Sequence, residues 1–516
     1  MMKLLLNLRR RRFPSSSPPT RYLCTAVTEK QPAAPARSKK SGRERSDGLY
    51  NRLSALGRSG GSAIDTLNKY FSEGNYARKY ELDTCIWQLR RFGKADHALQ
   101  VMEWMQTRKI KFHPTDHAKF LDLVSKVKGI SAAENYFSGL PESAKDRSTY
   151  GALLNCYCRE KLAEKAQTLF EKMDSMHIVS SLTFNNLMSL CMRRNMPEAV
   201  IPLVQEMKNR NLPLGVHTYN IWMTSYSQMN DIEGVERVFE EMQVNNGEEQ
   251  NSWTAYSNLA AAYVRAGLKE KAESGLKKVE AEIQRMGHRC DREPYHYLIS
   301  LYAGTSNLAE VYRIWKILKS SFKVTNNTST LIMIQSLARL DDIDGFKKIF
   351  QEWEITCSSY DLRLAKTAIM MYVKNGLIKE AEDVIDNILK RCKGPFYQHC
   401  KPLILYYLDK SQVDLALGCL KAALCEVKDN ERHQTYEDVK SFVMEYFKKE
   451  RNVTGAEKCC KILKSLKPLD FEAYRLLLET YVAASKIAPE MRCRIMDDGI
   501  EITSELEKLL ERVCPE

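Results

Sequence analysis

The sequence predicts an all-α solenoid of about twelve two-helix repeats. Three observations carry this expectation. An apolar pattern recurs about every 35 residues, it runs at helical spacing inside each recurrence, and no useful stretch alternates at period two. The segments STYGALLNCYCREKLAEKAQTLFEKM (148–173), LTFNNLMSLCMRRNMPEAVIPLVQEM (182–207) and HTYNIWMTSYSQMNDIEGVERVFEEM (217–242) superpose without gaps. Taking the residue after the aromatic as an anchor places anchors at Asp83, Ala118, Gly151, Asn185, Asn220, Ser257, His296, Leu331, Lys366, Lys401, Ser441 and Arg475. Successive spacings are 35, 33, 34, 35, 37, 39, 35, 35, 35, 40 and 34. One such unit cannot bury its apolar face alone, so neighbours must stack.

Within a unit, the first helix (A) carries apolar residues at +2, +3 and +6 from the anchor, as in Leu153, Leu154 and Tyr157. These share one helical face. A break follows, often with Gly or Asn (Gly93, Gly129, Asn195, Gly267, Gly376), which suits a tight turn between antiparallel helices. The second helix (B) opens with a small residue at +15: Ala98, Ala133, Ala166, Ala272, Ala381, Ala416 and Ala456. Large apolar residues follow at +19 and +22, such as Phe170 with Met173 and Phe350 with Trp353. That stripe reads as core.

Outside the repeats, the first 45 residues hold 12 Lys or Arg against Glu29 and Glu44, a charge of +10. The whole chain carries +13, so residues 46–516 carry only 13 − 10 = +3. The opening MMKLLLNLRRRRFPSSSPPTRYLCTA is rich in Arg and Ser and has no acid before Glu29. It reads as an organelle transit peptide over 1–45, for the mitochondrion rather than the plastid, with Arg21-Tyr22-Leu23 compatible with processing after Leu23. Residues 46–80 are expected to be a linker and N-terminal cap, 81–480 the solenoid, and 481–516 a polar capping helix. The register gives no second domain before residue 480.

The sequence points away from catalysis. There is no GxxxxGK[ST], no GxGxxG after a strand and no paired CxxC, so no catalytic residue, metal site or cofactor is expected. Asp341, Asp342 and Asp344 enter a helix and read as caps. The fifteen cysteines read as reduced thiols, mostly on apolar faces (Cys156, Cys191, Cys419, Cys460). No stretch has the length of a membrane span, and no small-molecule substrate is implied.

The units resemble pentatricopeptide repeats. The likeness rests on an aromatic before the anchor (Tyr150, Phe184, Tyr219, Tyr256, Tyr295, Tyr474), a Lys or Arg closing helix A, and LFEKM-like text closing helix B (Leu169 to Met173, Val238 to Met242). It spans roughly residues 80–480 and looks like the pure-repeat (P) subclass of plant organelles, without a deaminase-like HxE and PCxxC extension. The resemblance implies a right-handed superhelical solenoid that binds single-stranded RNA, one base per repeat, read by the anchor and the residue five before the next anchor. On that rule Asn185 pairs with Gly215, Asn220 with Ser252, Ser257 with Asp291, and Ser441 with Asp470. The remaining anchors fit poorly. Gly151, Ala118 and Leu331 offer no hydrogen bond, Asp83 repels phosphate, and Lys366, Lys401, Arg475 and His296 bring charge with little selectivity.

A second column is more regular. At +8 stand Arg91, Lys126, Arg159, Arg193, Arg265, Arg339, Lys374 and Lys449. Two accounts remain open: a basic rail that tracks phosphates, or cations capping helix C-termini, where each gains about 0.3–1 kcal/mol from the helix dipole. The function expected is backbone-dominated binding of mitochondrial mRNA or rRNA with limited base selectivity. The alternative is a structural scaffold associated with the mitochondrial ribosome.

Overall fold

A computed structural model describes residues 48–56, 61–246, 253–287, 290–357, 359–392, 396–424 and 429–515. The region read as a transit peptide and Ser252 lie outside them. Among the described residues the chain is helices and turns, without strands. It divides into two compact units, one reaching to Glu282 and the other starting at Ile283. The repeat register itself runs through this point, with left-handed residues at +10 in the repeats on either side, Gly267 and Ser306. The division falls between Ser257 and His296, whose 39-residue spacing is matched or exceeded only by the 40 before Ser441.

The first unit opens with α1 (Leu49–Ala55) and α2 (Ala63–Ser72), inside the stretch read as linker and cap. Five complete hairpins follow: α3 (Lys79–Arg91) with α4 (Ala95–Thr107), α5 (Pro114–Lys128) with α6 (Ile130–Ser138), α7 (Arg147–Arg159) with α8 (Ala163–Ser175), α9 (Ser181–Arg193) with α10 (Val200–Asn209), and α11 (Val216–Gln228) with α12 (Ile232–Asn246). Then come α13 (Trp253–Arg265) and α14 (Lys269–Met286), whose last turn holds the division.

The second unit continues with α15 (Glu293–Gly304) and α16 (Leu308–Ser321), α17 (Asn327–Arg339) and α18 (Ile343–Thr356), α19 (Leu362–Lys374) and α20 (Ile378–Arg391), α21 (Tyr397–Asp409) and α22 (Val413–Ala423). The next A helix is α23 (Asp429–Val439), a π-helical turn (Lys440–Met444) and α24 (Glu445–Lys449), paired with α25 (Val453–Lys464). The last hairpin is α26 (Phe471–Ala483) with α27 (Met491–Asp497). The tail therefore holds two helices rather than one: α27, and α28 (Ser504–Val513), which lays Leu506, Leu510 and Val513 inward against the end of the stack.

Most A helices begin four residues before the anchor, and in several the side chains there cap the helix start. Asp146 accepts from the backbone N–H of Ser148 and Thr149, and Thr149 Oγ1 accepts the N–H of Asp146 in return. Ser180 and Thr183 form the same reciprocal box. Each A helix ends on a left-handed residue, nearly always at +10: Gly93, Lys161, Asn195, Asn230, Gly267, Ser306, Asp341, Gly376, Ser411, Arg451 and Ser485. In the second repeat it is Gly129, at +11. Only some of these are Gly, so hairpin closure imposes the conformation on residues that pay about 1–2 kcal/mol for it. Lys161→Gly is accordingly expected to raise stability by about 1 kcal/mol, read as a higher denaturation midpoint.

The Ala column at +15 is wholly buried, and the +19 and +22 residues line the core of each unit. Successive A helices pack directly on one another: α5 to α7, α9, α11 and α13 in the first unit, and α15 to α17, α19 and α21 in the second. Extensive B-to-B contact among the described residues is confined to α2 with α4 and α22 with α25. A ladder tighter along one edge bends toward that edge, so the A row is the inner row of each unit.

A periodic polar latch adds to this packing. Tyrosines at +6 donate to glutamates at +16 of the preceding repeat: Tyr157 to Glu134, Tyr263 to Glu236 at 2.8 Å, Tyr407 to Glu382, and Tyr481 to Glu457 at 3.0 Å. Burial, then the neighbouring carboxylate, raises each phenol above its ordinary range, so all four stay protonated donors.

Candidate nucleic-acid interface

Anchor, +4 and +8 lie on one stripe of each A helix, because four residues advance a helix by little more than one turn. The stripe runs from the buried A-to-A seam near the anchor to the exposed last turn.

Three anchors are engaged with the next repeat rather than standing free. Thr218 Oγ1 donates to Asn185 Oδ1 at 2.9 Å, and Asn185 is only 8% exposed. Asn220 Nδ2 donates to Thr254 Oγ1 at 3.1 Å. His296 Nε2 and Ser329 Oγ are 2.8 Å apart. These amides and hydroxyls staple one A helix to its successor. Some capacity remains unused: Asp83 Oδ1, Asn220 Oδ1 and Ser257 Oγ are buried without a hydrogen-bond partner, and Ser257 is 1% exposed. All three are anchors, and a buried polar atom left unpaired costs about 1–3 kcal/mol.

Several readers expected from the sequence have other tasks. Ser441 Oγ turns back to donate to Glu437 O at 2.7 Å. Asp470 is the N-cap of α26; it accepts from Ala473 N–H at 2.9 Å and from Lys440 Nζ at 2.9 Å. In this fold the acid holds a helix start and a lysine, and the Ser441 hydroxyl is returned to its own helix. Gly215 and Asp291 are exposed, the former as the side-chain-free N-cap of α11. Two anchor charges are also corrected. Burial, then the charge of Arg292, lowers His296 to about 4, so this histidine is neutral near pH 7. Arg475 is bound by Glu472 and Glu479.

The +8 cations all occupy the last turn of an A helix, but they do not form a uniform rail. Asp122, at +4 of the second repeat and 6% exposed, gathers three cations from successive repeats. They are Arg90 Nη2 at 3.1 Å, Lys126 Nζ at 2.7 Å and Arg159 Nη1 at 2.7 Å. Arg159 Nη2 also donates to Ser125 Oγ at 2.8 Å. Burial pushes the Asp122 carboxyl up; Lys126, Arg90 and Arg159 overcome that and hold it below the usual carboxylate range. Lys374 is paired with Asp341 at 2.5 Å, and Arg91 lies over the ring of Trp87. Arg193 is half-buried. Arg265, Arg339 and Lys449 are exposed and make no ion pair among the described residues.

Nothing in the sequence marks Asp122 as a hub, since two of its three partners lie 32 and 37 residues away. Its one visible trace is an acid at +4, where Trp87, Asn155, Ser189, Thr224 and Ala261 stand in the other repeats of this unit. Asp342 caps α18 as expected, accepting from Gly345 N–H at 3.0 Å, whereas Asp341 is the left-handed turn residue. The cysteines described are free thiols, though Cys419 is only half-buried. Among the described residues, no group of three or more His, Cys, Asp or Glu is placed to hold a metal ion, and no helix is long and apolar enough to cross a membrane.

Comparison with known proteins agrees with this repeat register. A family model described as PPR repeat matches residues 148–178, 217–246 and 366–392, and one described as PPR repeat family matches 179–226. A mitochondrial pentatricopeptide repeat-containing protein of Arabidopsis thaliana is 44% identical over 471 residues, 90% of this chain and 87% of its own length. The large ribosomal subunit protein mL101 of the same plant is 37% identical over 467 residues, 90% of this chain and 94% of its own. Among solved structures, pentatricopeptide repeat protein PPR10 in complex with an 18-nt psaJ RNA element aligns at TM-score 0.45 and 16% identity, over 90% of this chain and 75% of that one. The relatives place the chain in the mitochondrion. With repeats of this length matched in register and a relative this similar along nine-tenths of its length, the chain belongs to the pentatricopeptide repeat family.

Proposed function

We propose that the chain is a non-enzymatic, RNA-binding protein of mitochondrial RNA metabolism or translation that holds a single strand mainly by its backbone. The observation that carries this reading is the set of exposed cations at +8, Arg265, Arg339 and Lys449, which make no ion pair among the described residues. Asn220 Oδ1 and Ser257 Oγ, on the adjacent helices α11 and α13, lack a hydrogen-bond partner but lie beneath the surface, so a base edge reaches them only where the seam between those helices opens. Phosphates would meet the exposed Arg265, Arg339 and Lys449, with the Asp122 cluster as a less available source of charge. Base discrimination is then narrow, because Asn185, Ser441 and Asp470 are spent on the fold.

A second reading is favoured by the likeness to mL101: a scaffold on the mitochondrial ribosome that contacts ribosomal RNA with little base selectivity. Cross-linking and sequencing of RNA bound to the full-length protein tests both. One or a few transcript footprints are expected under the first, broad ribosomal RNA under the second, and absence of RNA overturns both. On a preferred RNA, Asn220→Ala with Ser257→Ala should weaken binding roughly tenfold, two hydrogen bonds at about 0.5–1 kcal/mol each, while binding to a homopolymer stays unchanged. Equal loss on both RNAs would remove base reading from these residues.

A further inference from the structure

The A row of the second unit differs from that of the first in a way RNA binding does not explain. In the first unit the +4 residues from α7 onward are Asn155, Ser189, Thr224 and Ala261, all half-buried. In the second, α19 presents Met370 at 53% exposure and α21 presents Leu405 at 41%, both at +4. Beside them Phe442 is 46% exposed. It stands one residue past its anchor, in the π-helical turn Lys440–Met444. Three large apolar side chains on consecutive repeats thus face solvent.

Lysines frame them. Lys366 precedes Met370 by one turn, and Lys401 precedes Leu405 likewise. Neither makes an ion pair among the described residues. The Lys401 ammonium lies 2.9 Å from the Phe442 ring centroid, which joins α21 to the π-turn. Burial, opposed by Asp438 and reinforced by Lys366, lowers Lys401, so the two lysines sense each other across the α19–α21 seam. The patch is apolar at its centre and positive at its edge.

We infer that Met370, Leu405 and Phe442, framed by Lys366 and Lys401, form a docking surface for an amphipathic, acidic segment of a partner protein. Its apolar side chains would cover the three exposed ones, and its Asp or Glu side chains would meet the lysines. RNA fits less well. Met and Leu provide no flat ring for a base, one face of Phe442 is occupied by the Lys401 ammonium, and the Ser441 hydroxyl is already spent on Glu437 O. The inference does not rest on the RNA reading, which concerns Arg265, Arg339 and Lys449 with Asn220 and Ser257.

The test is a photoreactive phenylalanine analogue placed at position 405 of the full chain, imported into isolated mitochondria, with adducts mapped by mass spectrometry. The expected result is an adduct on one protein segment that alternates apolar residues with Asp or Glu. It should fall to about a tenth in Lys366→Glu/Lys401→Glu, because reversing the framing charges repels that segment. A Met370→Ser variant, which leaves the Lys401–Phe442 contact in place, should also lose most of the adduct; that side chain is exposed, so the melting temperature should hold, and binding to a preferred RNA should not change. An adduct to RNA, to a second copy of this chain or to a segment without carboxylates overturns the inference, as does the absence of any adduct. So does an adduct that survives the charge reversal.

Discussion

Asp122→Asn is expected to lower the stability of the first unit by about 2–3 kcal/mol, a loss larger than surface ion pairs give. The carboxylate is almost wholly buried, while Arg90, Lys126 and Arg159 are partly open to water, with side chains 21%, 40% and 24% exposed. Removing the acid leaves three cations crowded on one seam, and water can relieve only part of that repulsion. The full cost of an uncompensated buried charge, about 3–5 kcal/mol, is therefore an upper bound.

The effect also has a pH signature. Asp122 is held below its unfolded value, so its stabilisation is complete above the unfolded pKa near 4 and fades as pH falls through the folded one. Denaturant midpoints of parent and variant should differ at pH 7 and draw together only as pH drops below about 4 and through the lower folded value of Asp122. A gap that persists into acid would mean the lost contact is steric rather than ionic.

The second large effect concerns RNA. Arg265→Glu with Arg339→Glu should weaken binding to every RNA tested, at least tenfold at low salt. Each lost phosphate contact on a single strand should also flatten the log–log salt slope by about 0.7. These two are chosen because they are exposed and free of carboxylate partners among the described residues. Reversing Arg159 would instead break the Asp122 cluster and confuse binding with folding. Helix-capping alone predicts something different: lower stability of α13 and α17, with RNA affinity and salt slope unchanged. Melting curves beside filter-binding titrations separate the two.

The repeat register was readable in the sequence because burial leaves a direct trace there. Ala98, Ala166 and Ala272 are small because two helices meet at them, and each is fully buried. The turns were only half readable. Gly93 and Gly267 advertise a left-handed backbone, while Lys161 and Arg451 adopt it because the hairpin demands it. The +8 cations could be located but not assigned partners, since Asp122 and Asp341 come from other turns of the stack. His296 reads as a charge in the sequence because its burial beside Ser329 of the next repeat leaves no local trace. Asn185 reads as a base-facing amide for the same reason, with Thr218 lying 33 residues away. Local pattern gave the scaffold; everything that depends on the neighbour needed coordinates.

The tyrosine-to-glutamate latches bear on how such a chain avoids mistakes. Modules this alike can dock on the wrong copy, skipping or exchanging a neighbour as the polypeptide condenses. Sequence identity of the apolar seams would make those errors nearly as favourable as the correct order. A phenol that must find one carboxylate works as a key, as Tyr157, Tyr263, Tyr407 and Tyr481 do. A module docked on the wrong copy would leave such a phenol without its acceptor, so the latches discriminate against shuffled assemblies.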